Sequence, residues 1–243
     1  MPKRKYTPLS VKRSSLINAN SNLTNNFGNN SHNNSHNNIC TNPSNDLSDS
    51  MIPDCPKPTI HNIVSTAQIK STLPIDLAAL SLLLPFSFYD RHRFAAITIR
   101  LRSPDCTTLL FGSGKLVVTG GRNWYECVLA SLHVCQILRD AFPSLQFELI
   151  NCDIQNIVAH VELPVGERGM LDLQSMYGKL ELHCMYQRTM FPGLIFRPDA
   201  SPVVLLCFYS GKVVITGGKT TQDVFDGWAK LWPTVKVFMR DKV

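Results

Sequence analysis

Along Ala95–Arg102, Thr107–Phe111 and Lys115–Thr119 the side chains follow the period of two that a half-buried strand requires. Leu109, Phe111, Val117 and Thr119 share one parity. Gly112-Ser113-Gly114 separates the last two runs, and glycine at its third position permits the positive φ of a tight hairpin. An earlier apolar strand is expected over Asn62–Ile69. A short helix follows, with Pro74 near its start and Ile75-Asp76-Leu77-Ala78-Ala79-Leu80 within it. From Asn123 to Ala141 the period becomes helical: Val128, Leu132, Cys135 and Leu138 form an apolar stripe, which Phe142-Pro143 ends.

The same order then occurs again. Phe94–Gly121 and Phe191–Gly218 align without a gap at a constant offset of 97, and 11 of the 28 positions are identical. The second copy predicts an opening strand over Ile154–Leu163, a helix over Gly169–Tyr177 and three strands with the turn Tyr209-Ser210-Gly211. A closing helix over Thr220–Leu231 is ended by Trp232-Pro233. A duplication of this kind implies one fold built from two halves with quasi-twofold symmetry. The identities include Arg, Ser, Lys and Thr, so the symmetry extends to a surface. The fold class is α+β, an antiparallel sheet with helices on one face. The other face should be polar if it meets only water. It carries Leu109, Phe111, Val117 and Thr119 in one half and Leu206, Phe208, Val214 and Thr216 in the other. A mostly apolar open face needs a partner.

The two copies divide the chain into residues 58–151 and 152–243. Residues 1–57 stand apart. Asn18–Asn45 is dominated by Asn with Ser and His. Such a segment cannot bury enough apolar surface to offset its ordering entropy, so a disordered tail is expected. The net charge is +6, of which the tail carries +3, leaving +3 for the remainder. Cations that touch phosphate must therefore be placed rather than abundant. Pro2-Lys3-Arg4-Lys5 resembles a short nuclear-import signal and reads equally as a solvated basic terminus. The eight cysteines form no Cys-x-x-Cys pair and no zinc spacing, which suggests reduced thiols and no metal. No apolar run is long enough to span a bilayer. No nucleophile–base pair stands out, and Ser113-Gly114-Lys115 lacks the upstream glycine pattern of a phosphate loop. The expectation is a protein that is not an enzyme, with no cofactor and no membrane partner.

Seven runs sharpen this picture. They are Asn62-Ile63-Val64-Ser65-Thr66, Arg93-Phe94-Ala95-Ala96, Phe111-Gly112-Ser113-Gly114-Lys115, Thr119-Gly120, Ile154-Gln155-Asn156-Ile157-Val158, Phe191-Pro192-Gly193-Leu194-Ile195 and Phe208-Tyr209-Ser210-Gly211-Lys212. In this order and register the chain resembles the TATA-binding protein family from about residue 58 to residue 240. The resemblance implies a pseudo-symmetric saddle: a curved antiparallel ten-stranded sheet with helices on its convex face. It implies a general transcription initiation factor of the nucleus. Such a factor binds and bends A·T-rich double-stranded DNA through the minor groove and nucleates the pre-initiation complex. Its implied partners are transcription factors IIA and IIB and polymerase-associated factors.

Each residue role carried over by the resemblance has a physical reason. Taken singly, Phe94, Phe111, Phe191 and Phe208 read as core, but in the repeated register they match two pairs of wedges. A flat apolar ring can enter between base pairs and replace lost stacking. Asn62 and Asn156 occupy matching places, and an amide can donate to adenine N3 or thymine O2. Thr119 and Thr216 offer hydroxyls to the same edges. Val64, Val158, Val117, Val214, Leu109, Leu206 and Pro192 would line the groove floor, where the guanine amine clashes. Arg93, Arg100, Lys115, Arg122, Arg197, Lys212 and Lys219 match phosphate-contact positions, which set affinity and register rather than sequence preference.

The chain also departs from the family. Where a basic residue commonly precedes each second wedge, it has Asp105 and Pro202. The loop before Phe191 commonly reads Tyr-Glu-Pro-Glu-Leu, helping to dock factor IIB; here it reads Tyr186-Gln187-Arg188-Thr189-Met190. Arg139 is the one Lys or Arg between Asn123 and Ala141, in a helix whose outer face is commonly basic. These departures keep two alternatives open: a related factor with altered DNA preference, and a saddle-shaped interaction scaffold.

Overall fold

The computed structural model describes residues 54–164, 170–199 and 201–240. The Asn-rich tail to residue 53, the Pro2–Lys5 run and Gly169 lie outside the described residues. The first half contains β1 (Thr59–Ser71), α1 (Leu77–Leu83), β2 (Ser87–Phe88), β3 (Ala96–Arg100), β4 (Thr107–Phe111), β5 (Lys115–Gly121) and α2 (Trp124–Ala141). Next come β6 (Phe147–Glu162), β7 (Met170–Leu171), α3 (Leu173–Leu180), β8 (Cys184–Met185), β9 (Leu194–Phe196), β10 (Val204–Cys207), β11 (Lys212–Thr216), α4 (Thr221–Lys236) and β12 (Met239–Arg240).

Ten strands form one curved antiparallel sheet in the order β2-β3-β4-β5-β1-β6-β11-β10-β9-β8, while β7 pairs with β12. The order is its own mirror image under exchange of halves. The dyad runs between β1 and β6, where Asn62 pairs with Val158 and Val64 with Asn156. Both hairpin glycines take positive φ, +82° at Gly114 and +85° at Gly211.

Alternation sorts the strand residues onto two faces. Leu110, Leu116, Val118, Leu205, Val213 and Ile215 are fully buried against the helices. Their neighbours Leu109, Val117, Leu206 and Val214 are only half-buried and form the open face. The helix side holds two separate cores. One gathers Leu80, Ile97, Leu110, Val134 and Leu138; the other gathers Leu194, Trp228, Trp232, Val235 and Phe238. Burying each large apolar side chain contributes about 1.5–3 kcal/mol, so these cores carry the stability.

Several boundaries differ from those the sequence suggests. In α2 the buried positions are Cys127, Ala130, Ser131, Val134, Cys135 and Leu138, whereas Val128 and Leu132 are only partly buried. The stripe is turned by about one residue, a phase set where the Asn123 carboxamide caps the Glu126 amide at 2.9 Å. Helix α4 does not stop at Trp232-Pro233 but continues to Lys236. Proline inside a helix costs about 3 kcal/mol. Pro233 faces solvent, and burial of Trp232, Val235 and Phe238 offsets that cost. Helix α1 starts after Asp76, whose carboxylate accepts from the Ala78 and Ala79 amides at 3.0 Å, so Pro74 precedes the cap. Helix α3 starts at Leu173 behind the Asp172 cap. Strand β6 starts at Phe147, well before Ile154, because β1 supplies pairing partners out to Ser71.

Candidate nucleic-acid interface

The open face has a centre and two ends. At the centre the carboxamide oxygen of Asn62 accepts the Gly120 amide at 2.8 Å, and that of Asn156 accepts the Gly217 amide at 2.8 Å. Both glycines sit at positive φ, +100° and +102°, a region that a side chain would strain. Fixing each oxygen this way fixes each amide nitrogen. The N–H donors of Asn62 and Asn156 then stand on the open face, on either side of the dyad. The Thr119 and Thr216 hydroxyls donate to the same Asn oxygens at 3.3 and 3.2 Å. In the free protein their hydrogens are thus used inside the site, and what they present outward is acceptor capacity and a methyl group. The Asn156 nitrogen also reaches the Thr216 hydroxyl oxygen at 3.1 Å, which takes up one of its two hydrogens and leaves the other.

Around this centre the aliphatic set falls into cross-strand pairs. Val64 lies beside Asn156 and Val158 beside Asn62, with Leu109 opposite Val117 and Leu206 opposite Val214. All six are half-buried. The result is an apolar strip with two amide donors at its middle.

The four phenylalanines stand at the ends in two matching pairs. Phe94 and Phe111 meet edge-to-face with centroids 5.8 Å apart, and Phe191 and Phe208 do so at 5.7 Å. None of the four belongs to either buried core. Phe94 is 48% exposed. Each leading ring is aimed by a tight turn: the Asp90 carbonyl accepts from the Arg93 and Phe94 amides, and the Gln187 carbonyl accepts from the Met190 and Phe191 amides. Gly193 leaves room for the second pair, since a Cβ there would come within 2.7 Å of the Phe191 ring and 3.0 Å of the Phe208 ring. Pro192, next to Phe191, is exposed.

The cations are placed symmetrically. Arg100, Lys115 and Arg122 in the first half and Arg197, Lys212 and Lys219 in the second are all exposed. Arg93 is exposed too and pairs with Asp90 at 3.5 Å. Asp105 is exposed and forms no ion pair among the described residues, and Pro202 takes its place in the other half. Gln187, Arg188 and Thr189 are exposed at the tip before Phe191.

Two features of the open face escape the alternation rule. β1 and β6 each carry an irregularity in register, after Ile60 and after Val64. These leave His61 and Gln155 without a direct partner, as a third shift, between Gln68 and Ile69, leaves Ile150. His61 packs edge-on against His160 at 5.2 Å, and Gln155 donates to the Thr66 hydroxyl at 2.9 Å. His160 shares the parity of Asn156 and Val158, so the sequence carried a signal for it. His61 becomes visible only once the bulge is known.

Fold and face together define a class of protein: a duplicated α+β saddle that presents an open, mostly apolar sheet face rather than a cleft. Comparison with known proteins agrees. The family described as "Transcription factor TFIID (or TATA-binding protein, TBP)" matches residues 57–141 and 151–238. A Caenorhabditis elegans TATA-box-binding protein is 33% identical over 207 residues, covering 82% of this chain and 58% of its own length. The Candida albicans protein of that name is 35% identical over 186 residues, covering 76% of this chain and 74% of its own. TATA-box-binding protein 2 of Arabidopsis thaliana is 34% identical over 186 residues, with 75% and 88% covered. The structure of Methanococcus jannaschii TBP superimposes with a TM-score of 0.61 at 30% identity, covering 75% of this chain and 99% of that one. The chain belongs to the TATA-binding protein family.

Proposed function

We propose that this chain is a nuclear general transcription initiation factor that lays its open face along the minor groove of A·T-rich DNA, bends it, and nucleates pre-initiation complex assembly. The observation that carries the reading is the placement of Asn62 and Asn156. Each has its oxygen tied to a backbone amide and at least one hydrogen of its nitrogen left to donate outward. A·T pairs show only acceptors in the minor groove, whereas a G·C pair adds a donor that these amides would repel.

The spacing of the wedges supports it. Five strand steps separate β4 from β10, and seven separate β3 from β9. At about 4.8 Å per step the pairs stand roughly 24–34 Å apart. That corresponds to about 7–10 base pairs at 3.4 Å each. Rings entering the stack at both ends of such a site open the minor groove and kink the duplex. The exposed Arg and Lys sets then meet the flanking phosphates and fix register. Transcription factors IIA and IIB and polymerase-associated factors are the partners expected to read the resulting complex.

Competition in a mobility-shift assay tests the reading. An A·T-rich duplex should displace the probe at far lower concentration than its G·C-substituted counterpart, and circularly permuted probes should migrate as bent. Equal competition by the two duplexes would remove the proposal in favour of a protein-binding scaffold.

A further inference from the structure

We propose that His61 and His160 form a proton-linked DNA contact on one flank of the dyad, so that seating the open face draws one proton onto the pair. This rests on the reading that the open face lies on DNA.

The two flanks of the dyad match in backbone and differ in chemistry. On the second-half flank the neighbours are His61, His160, Glu162 and Lys212. The twofold-related places hold Gln155, Thr66, Gln68 and Lys115. The first flank thus has an uncharged hydrogen-bonded pair, Gln155 to Thr66 at 2.9 Å. The second has two imidazoles whose ring centroids are 5.2 Å apart. The Val, Leu, Asn and Thr side chains at the middle of the strip do not titrate near neutral pH, so the histidines are its groups that can.

Every element packed around the pair bears on its charge. From β11, Lys212 faces it, with Val214 directly opposite His160. From β6 comes Glu162, opposite Lys212 in register. β1 contributes Thr59 opposite His160, and Lys57 precedes that strand. Partial desolvation, then the His160 ring, then the Lys212 ammonium hold the His61 imidazole below its ordinary value. In the free protein the His61 imidazole is therefore neutral at pH 7.

DNA reverses the balance. Phosphates neutralise Lys212, and the narrow minor groove of A·T sequences attracts cationic side chains, histidine included. The folded protein on DNA then holds its proton more tightly than the free protein. Two rings this close share one charge more readily than they carry two. The sign follows from linkage. Affinity is unaffected above the bound-state pKa, rises as pH falls between the bound and free values, and levels off below the free value.

The test uses the full chain and the double variant His61→Gln, His160→Thr, which copies residues the other flank already carries. Affinity for one A·T-rich duplex is measured at fixed salt from pH 8 to pH 6. For the unchanged chain, the dissociation constant should fall by up to about ten-fold per pH unit within the window. Calorimetry at pH 7 in buffers of different protonation enthalpy should count about one proton taken up. The variant should bind with little slope and no uptake. The converse variant, Gln155→His, Thr66→His, should add uptake on the first flank. Equal slopes in the unchanged chain and the first variant would overturn the proton link while leaving DNA binding intact. Failure of both proteins to prefer A·T-rich DNA at any pH would instead overturn the functional reading and the link with it.

Discussion

Replacing Asn62 by aspartate separates the structural role of that side chain from its proposed reading role. The carboxylate is nearly isosteric and still accepts from the Gly120 amide, now 2.8 Å from the amide oxygen, and from the Thr119 hydroxyl at 3.3 Å. A charged acceptor strengthens such bonds, so folding should lose little. The outward nitrogen, by contrast, becomes a second oxygen facing adenine N3 or thymine O2. Loss of a good base contact costs about 1–3 kcal/mol. An unpaired acceptor held dry against other acceptors adds about 1–3 kcal/mol more. The sum, about 2–6 kcal/mol, predicts binding weaker by a factor of roughly 30 or more. Asn62→Ala should behave differently: it also abandons the Gly120 amide and should lose about 1 kcal/mol of folding stability. Urea unfolding of the free variants and mobility shift with an A·T-rich duplex give the two readouts. An Asn62→Asp variant that binds within about three-fold of the unchanged chain would refute the donor role. So would equal folding losses for the two variants, which would mean that the oxygen anchors nothing.

Four further outcomes are expected. Phe94→Ala and Phe208→Ala should weaken and straighten the DNA complex while costing well under about 3 kcal/mol in folding, because neither ring belongs to a buried core; a larger loss measured by denaturation would make the rings structural. Asp105→Arg should tighten DNA binding and steepen log K against log salt by about one unit; an unchanged slope would show that Asp105 does not face phosphate. Gln187→Glu with Thr189→Glu should improve recruitment of a factor IIB from a species whose saddle keeps the acidic loop, by roughly ten-fold, since exposed and interfacial charge pairs contribute modestly; full-affinity recruitment by the unchanged chain would sink that idea. The Asp172 carboxyl is held below its ordinary value, first by the Ser175 amide, with the Ser175 hydroxyl and the Arg240 guanidinium adding to it. Its contribution is therefore complete above the unfolded-state value of about 3.9 and is lost as pH falls further. Asp172→Asn should lower the melting temperature at pH 7 and make no difference near pH 2, where a persisting gap would assign the effect to packing.

How far the sequence could be read depends on what each element answers to. The hairpins at Gly114 and Gly211, the strands over Thr107–Phe111 and Lys115–Thr119 and the caps at Asn123 and Thr220 obey local rules, and local rules are written in the residues. Helix α4 obeys a tertiary one: Pro233 reads as a stop, yet the pull of Trp232 and Val235 into the core carries the helix on. The early start of β6 is likewise set by what lies across from it, since β1 supplies partners out to Ser71. On the open face, the places of the four rings, the two Asn and six of the seven cations were legible because the duplication wrote each twice, Arg93 alone facing Met190 in the other copy. The His61–His160 pair was not, because it departs from the copy and depends on a bulge that alternation does not encode.

The back of the sheet does not share the likeness of its front. Along equivalent turns, α2 buries Ser131 and Cys135 where α4 buries Trp228 and Trp232. The Trp228 indole also clasps the Pro56 carbonyl at 2.7 Å, so the approach to β1 runs beneath the second-half helix alone. The two halves of the sheet therefore rest on differently filled supports, one packed with small side chains and the other braced by two tryptophans. The two ends of the molecule are thus distinguished by what lies beneath the sheet as well as by the residues on its open face.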